Sequence, residues 1–501
     1  MKKILLIATI ALVSYAASAG EQRSVPLTSE ALAVQGHILD SMPAEWELLG
    51  YVQPTPATEI RYSLLGVGGE TLCRDFADFK AYESYLEPLG AKRIRLQSGW
   101  AKTEKIRGEY DFAWLDYIID NSIRCGVEPW LELSYGNPIY PGAGGVGLGE
   151  GLIQSEEGFA AWERYVTEAV KRYADKVYYY EVWNEADIRQ HDGKASADQS
   201  YKYPMLFERT AKIIRKHDPD SYIVGLALAG VNRQQTVTVF FEYLNDRGIL
   251  DLVDAISIHG YPQNPDANMD SVERIQSFID QYDPGITVWQ GETGAPSQYQ
   301  EKLALSGIEW TELSQAKYNT RRALAHIGRN IPFSMFQISD MYYKQKQRDL
   351  NLLNNKGLLK AAPDLSIERP KLAYYSYQNL CSLFRDGNSP LGKADFESAN
   401  PNLVVFRFHE SVRGRSGFVL WDQSGKPSES YDRERTSVSL ADFRISDPVY
   451  VDLVSGAVIN IPKDSVQRFG TTAYIRGLPI WDGPVLVTDK MMVPLIKVGG
   501  H

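Results

Sequence analysis

The sequence predicts an α/β fold: a (β/α)8 TIM barrel followed by a smaller C-terminal antiparallel β-sandwich. Three observations predict it. Between residues 61 and 386, short apolar runs alternate with helix-period stretches eight times over, the signature of βα units around a parallel sheet. From residue 387 onward the helix period stops, and short alternating runs separated by turn residues replace it, as in a small antiparallel domain. The length of 501 residues also suits one large barrel with an appendage. A doubly wound sheet would want a dinucleotide fingerprint after its first strand, and Gly66-Val67-Gly68-Gly69 lacks the third spaced glycine.

The elements follow in order. Ser63-Leu64-Leu65-Gly66-Val67 reads as the first strand and residues 75–89 as its helix, with Phe76, Phe79, Tyr82 and Leu86 on one face. Arg93-Ile94-Arg95-Leu96-Gln97 is the second strand, and residues 112–125 are helical. The third strand, 127–135, precedes a long helix at 158–173 that spaces Trp162, Tyr165, Val166 and Val170 for burial. Strands four to eight fall at 177–183, 222–226, 255–259, 286–291 and 331–338. Their helices fall at 206–217, 237–246, 272–282, 312–327 and 372–384. The sandwich runs lie at 403–408, 416–421, 449–453, 473–475 and 485–488.

The remaining N-terminal sequence divides in two. Residues 1–19 carry Lys2 and Lys3, an apolar run over 4–13 and the small-x-small site Ala17-Ser18-Ala19, the build of a cleavable signal peptide. A periplasmic or secreted protein is expected. Residues 20–60, with Pro54 and Pro56, form a lead-in without a predicted fold. No later run reaches the ~18 apolar residues of a membrane span, so membrane insertion is not expected. Cys73, Cys125 and Cys381 allow at most one disulfide and read as small buried hydrophobes. The formal charge of −10 argues against a nucleic-acid partner, which would need clustered Lys and Arg. Nothing in the chain sets an oligomeric state.

In a barrel of this kind, chemistry sits at the carboxyl ends of the strands. Strand four runs into Trp183-Asn184-Glu185, and strand seven into Gln290-Gly291-Glu292-Thr293-Gly294. A lone strand-end glutamate is more often an ion-pair partner. Two at opposite sides of one barrel mouth can flank a glycosidic bond, one protonating the leaving oxygen and one attacking the anomeric carbon.

Trp183-Asn184-Glu185 together with Glu292 resembles clan A of the glycoside hydrolases, whose members share the barrel and retain anomeric configuration. The resemblance implies Glu185 as acid/base, Glu292 as nucleophile and Asn184 as a partner of the sugar 2-hydroxyl. It also implies that His259 and Tyr261, in Ser257-Ile258-His259-Gly260-Tyr261, support the nucleophile, and that Arg95 lies near it. The segment from Glu292 to Ser297 is similar to the nucleophile segment of the clan's β-1,3-glucanases, with Ala295 where those usually have Trp. That leans mildly towards β-glucan as the substrate. Xylosidase, galactosidase and mannosidase types stay open. Strand eight, Phe336-Gln337-Ile338, lacks the Trp that many members use to stack the sugar, so another loop must supply a ring.

Read from the residues alone, Arg95 can keep Glu292 ionised or pair inside the barrel with Glu132 or Glu181. Tyr135, Asn137, Trp289, Gln337 and Tyr342 complete the candidate sugar contacts, with Trp100 and Tyr343 as further rings. The glycine-rich stretch after strand three reads as a mobile lid, while Tyr178-Tyr179-Tyr180 reads as barrel wall. No cofactor is expected. A zinc hydrolase would want several strand-end His, and only His259 qualifies. An esterase would want Gly-x-Ser-x-Gly, which is absent. A carbohydrate-binding protein on an inactive scaffold would have no reason to keep both carboxylates. The C-terminal domain is read as a brace rather than a glycan module.

Overall fold

A computed structural model describes residues 25–188, 197–343 and 352–498. The signal-peptide stretch 1–19 lies outside the described residues. The lead-in acquires a definite fold. Helix α1 (Ser29–Ser41) starts at Thr28, whose hydroxyl accepts from the Ala31 amide, and strand β1 (Leu48–Val52) follows.

Eight parallel strands close a barrel: β2 (Leu65–Gly68), β3 (Arg93–Gln97), β4 (Glu128–Leu133), β5 (Tyr179–Val182), β6 (Tyr222–Leu228), β7 (Ala255–His259), β8 (Thr287–Thr293) and β9 (Phe333–Met335). Helices α2 (Phe79–Leu89), α3 (Trp100–Thr103), α4 (Ala113–Arg124), α5 (Glu156–Tyr173), α6 (Ala197–His217), α7 (Gln234–Asp246), α8 (Met269–Ile279), α9 (Glu312–Ile327) and α10 (Leu372–Leu383) alternate with them. Their ends carry local signals. Asp78 and Ser155 accept from Lys80 and Gly158 to cap α2 and α5, Thr311 and Ser314 form a reciprocal capping box on α9, and Gly90 ends α2 at φ 77°. Among the described residues no helix is long and apolar enough to cross a membrane.

Two hairpins, β10 (Met341–Tyr343) with β11 (Leu352–Asn354) and β12 (Leu359–Ala361) with β13 (Ile367–Pro370), separate β9 from α10. The last part of the chain makes two antiparallel sheets. A four-stranded one joins residues of 396–398, 434–440, 472–480 and 466–469. In the eight-stranded one, β1 pairs on one side with Ala457–Asn460 and on the other with Leu495–Lys497. The lead-in is therefore a strand of the C-terminal sheet, a long-range pairing that local periodicity cannot report.

Helix α9 lies between barrel and sandwich. The Lys317 ammonium donates to the Ser430 carbonyl at 2.6 Å and to Asp482 at 2.7 Å, Arg321 pairs with Asp266, and the Trp421 indole donates to Asp266 at 2.9 Å. A helix spelt with Lys317, Arg321, Arg322 and His326 is buried along its whole length because a second domain covers its polar side.

The barrel interior is layered. In the lower layer Trp289 stacks on Tyr222, with ring centroids 5.1 Å apart, meets Trp130 edge-on and lies beneath the Arg93 guanidinium. Arg95, two residues further along β3, begins the charged layer at the carboxyl ends. The three cysteines are unpaired, Cys125 and Cys381 buried and Cys73 half-buried.

Candidate active site

Glu185 stands three residues beyond β5, and Glu292 is the penultimate residue of β8. The backbone is bent to aim both. Trp183 and Glu185 adopt left-handed φ values of 65° and 46°, a conformation that costs on the order of 1 kcal/mol per residue and collects at functional sites. The Glu185 amide is tied to the Ala227 carbonyl at 2.9 Å. On β8 the pairing with β7 slips at Gly291, so Ile258 faces Gln290 while His259 faces Glu292. Such a bulge redirects a side chain. Glycine leaves room there: a Cβ on residue 291 would lie 3.1 Å from the His259 ring, a tight contact.

These devices bring one oxygen of Glu185, one of Glu292 and a His259 ring nitrogen within 4.8 Å of one another. A retaining pair is spaced at about 5 Å. Three such donors would also suit a metal ion by number and spacing, the one grouping of its kind among the described residues. However, His259 Nδ1 is already engaged 2.8 Å from Glu185 Oε1. Burial, with Arg95 nearby, pulls the His259 pKa down to about 3, so the ring is neutral. The Tyr261 hydroxyl donates to Glu292 Oε1 at 2.5 Å. Of the implied His-Tyr pair, Tyr261 therefore holds Glu292, while His259 sits closer to Glu185 than to Glu292 at 3.6 Å.

The two carboxyls differ in environment. Burial raises Glu185 to about 8, with Asp187 adding to it and Arg95 opposing it. Burial raises Glu292 to about 7; Glu185 pushes further up, while Arg95 and the Tyr261 hydroxyl pull down. The Tyr261 hydroxyl thus favours the ionised form at Glu292, the form a nucleophile requires, and no such donor lowers Glu185.

Both sequence readings of Arg95 hold at once. Its Nε donates to Glu181 at 2.6 Å, its Nη2 to Glu132 and to Asn184 Oδ1, and its Nη1 to Glu70 at 2.7 Å and Glu292 at 3.5 Å. Arg95 is fully buried beneath the acids, so it is not a direct sugar contact. Asn184 is pinned from both sides, accepting from Arg95 and donating to the Tyr135 hydroxyl at 2.8 Å. Tyr135 therefore orients Asn184.

Four further candidates are corrected. Asn137 is buried, donating to the Glu104 carbonyl and accepting from the Ile139 amide, so it braces a loop away from the carboxylates. Trp289 is three residues deeper on β8 than Glu292, in the lower aromatic layer, where no sugar at the mouth reaches it. Gln337, buried at the end of β9, donates its amide to the Ser339 carbonyl at 2.8 Å. Tyr342 turns its hydroxyl to the Ala361 carbonyl. Alternation along β10 makes Tyr343 the ring near the acids. Burial raises its hydroxyl to about 12, with Glu292 and Glu70 among the contributors. Trp100 is core, packed among Tyr140, Trp162 and Tyr165. The start of the glycine-rich stretch is anchored: Asn137 N donates to Ala143 O, and Tyr140 and Ala143 are buried.

Two residues escaped the sequence reading. Glu70, just past β2, joins Arg95 and Glu292; its signal was the run Gly68-Gly69 before it, which thins the backbone at a strand end. Lys356, between β11 and β12, is 1% exposed and holds its ammonium 5.7 Å from the Tyr261 ring centroid. Burial lowers its pKa to about 7, against the pull of Glu292. It lies in a long insertion, where no periodicity places a side chain.

A model of the glycosyl hydrolases family 39 matches residues 93–280, from β3 through α8. The chain is 24% identical over 393 residues to a β-xylosidase of Caldicellulosiruptor saccharolyticus, covering 73% of this chain and 74% of that protein. It is 24% identical over 271 residues to an intracellular exo-α-(1→5)-L-arabinofuranosidase of Streptomyces lividans, covering 53% of this chain but only 37% of that protein's length. Among solved structures, a family 39 glycoside hydrolase from Bacteroides cellulosilyticus shares the fold at TM-score 0.60 and 17% identity, covering 87% of this chain and 81% of that one. The family match and the two curated relatives agree with a glycoside hydrolase of the retaining clan A type, and the solved structure agrees with its fold.

Proposed function

We propose that the protein is a β-xylosidase-type member of family 39 that removes terminal sugars from β-linked oligosaccharides by double displacement. Glu292 attacks the anomeric carbon while Glu185 protonates the leaving oxygen; Glu185 then deprotonates the water that releases the sugar. The observation that carries the reading is the carboxyl pair flanking neutral His259, with the Tyr261 hydroxyl favouring the ionised form at Glu292. Burial is what supports exo action. Glu185 and Glu292 are 8% and 9% exposed, which fits a closed-ended pocket better than an open groove. The β-xylosidase relative supports a pentose over the glucan suggested by the segment from Glu292 to Ser297. The leader-like residues 1–19 support a periplasmic or secreted site of action. The sandwich acts as a brace, consistent with the Lys317–Asp482 ion pair and the Trp421–Asp266 hydrogen bond that fasten it to the barrel.

The test is hydrolysis of 4-nitrophenyl β-D-xylopyranoside beside the β-glucopyranoside and α-L-arabinofuranoside, then of xylo-oligosaccharides with products followed by mass spectrometry. Preference for the xyloside with release of single pentoses is expected. Preference for the glucoside, or release of internal oligomers, overturns the xylosidase reading.

A further inference from the structure

Among the described residues, the barrel mouth holds more buried acid than Arg95 and the nearby Lys356 can offset. Glu70, Glu132, Glu181 and Glu292 all bond Arg95, and a buried carboxylate without a compensating charge keeps its proton. Hydroxyl groups bond three of the four. Ser134 donates to Glu132, and Ser257 donates to Glu181. Glu292 accepts from the Tyr261 hydroxyl as well as from Arg95.

Glu70 has no such hydroxyl among the described residues. Arg95 Nη1 reaches Glu70 and Glu292 together, at 2.7 and 3.5 Å, so the two carboxyls converge on one donor, where a hydrogen bond between them raises Glu70 and lowers Glu292. Two carboxyl oxygens in contact need one proton between them. Glu292, with more donors, is the better anion, so the proton belongs on Glu70. Burial, followed by the Glu292 charge, likewise raises Glu70 well above the usual carboxylate range, although Arg95 opposes this.

The glycines before Glu70 make this placement possible. A Cβ on Gly69 would lie 2.6 Å from Ile94 Cδ1, and one on Gly68 would lie 3.2 Å from Glu70 Oε1. The run that fails as a dinucleotide fingerprint instead lets the chain turn tightly at the end of β2 and deliver Glu70 into the charged layer.

The geometry points to Glu70 as a positioning residue: a neutral carboxylic acid that donates a hydrogen bond to the nucleophile Glu292. No proton is transferred. When Glu292 forms its bond to the anomeric carbon and the leaving oxygen departs with the proton of Glu185, the Glu70 bond passes to the resulting ester. It returns to the carboxylate on hydrolysis. The proposal rests on the retaining-glycosidase reading for its kinetic readout.

The experiment compares Glu70→Gln with Glu70→Ala in the full chain, with folding checked by thermal unfolding. An amide N–H can replace the acid's donation, so Glu70→Gln should keep kcat within about 3-fold, with an unchanged acid limb of the pH profile. Glu70→Ala should lower kcat about 10- to 100-fold, the worth of a hydrogen bond to a charged group. It should also move the acid limb to higher pH, with little change in KM. Equal losses in both variants would show that a negative charge on Glu70 is what matters, and overturn the proposal. So would a rise in KM alone, which makes Glu70 a sugar ligand, or an unaffected Glu70→Ala. Infrared difference spectra need no substrate. Wild type minus Glu70→Gln at pH 7 should show one protonated carboxyl band, and an ionised carboxylate band there overturns the assignment. A wild type that cleaves none of the glycosides but shows the protonated band separates failure of the functional reading from failure of this one.

Discussion

The molecule buries charge in two places, and the two are built differently. Where barrel meets sandwich the buried charges come in matched pairs: Lys317 with Asp482 across the boundary, Arg321 with Asp266 on the barrel side, and Arg433 with Asp452 on the sandwich side. In the barrel mouth, Arg95 meets four carboxyls, and Glu185 stands beside them against neutral His259. A matched pair has one comfortable protonation state and braces whatever it joins. An acid-rich cluster does not. Its members take up or lose protons near neutrality, with Glu132 and Glu185 raised to about 8 and Glu292 to about 7, burial being the main cause in each. Bond cleavage by acid and nucleophile needs the second arrangement.

Substitutions can break that contrast, and the largest effect is expected at the nucleophile. Glu292→Gln should cost about 10⁴-fold or more in kcat while the protein stays folded, because an amide cannot form the covalent intermediate. Wild-type turnover would remove Glu292 from the role. Next in size is Glu185→Gln. A loss of roughly 10²–10⁴-fold is expected on xylobiose, whose leaving group must be protonated, and a smaller loss on 4-nitrophenyl glycosides. Equal losses on both substrates would place Glu185 outside acid catalysis.

The pH profile sharpens the comparison without mutation. On the proposed roles, activity requires Glu185 protonated and Glu292 ionised. kcat/KM should therefore fall above about pH 8, as Glu185 deprotonates, and below about pH 7, as Glu292 is protonated. A profile flat from pH 5 to 9 would break the link between burial and reactivity. The smallest effect on catalysis belongs to the matched cluster. Lys317→Met leaves Asp482 unpaired and should destabilise the fold by roughly 3 kcal/mol, seen as a lower unfolding temperature, with kcat at 25 °C within about 2-fold. A large kcat loss there would mean that the interface charges reach the chemistry after all.

The sequence was most legible where local pattern and function coincide. Strand periodicity together with Trp183-Asn184-Glu185 and Glu292 located both acids, because a barrel strand carries its last residue to the mouth whatever the distant packing does. Depth was less legible. Trp289 shares a strand with Glu292, yet about 3.3 Å of rise per residue drops it into the lower layer. Tyr342 and Tyr343 differ by one position, and only the pairing of β10 with β11 decides which ring faces the acids.

By itself, then, the sequence determined the barrel, the sandwich, the strand-end acids and the clan, since these follow from short-range period and from residues at element ends. Tertiary structure alone decided that β1 completes a sheet some 400 residues away, that α9 is covered on its polar side, and that Glu70 meets Glu292. Each of these depends on segments far apart in the chain being pressed together, and burial, proton affinity and hydrogen-bond partners come into being only at such contacts.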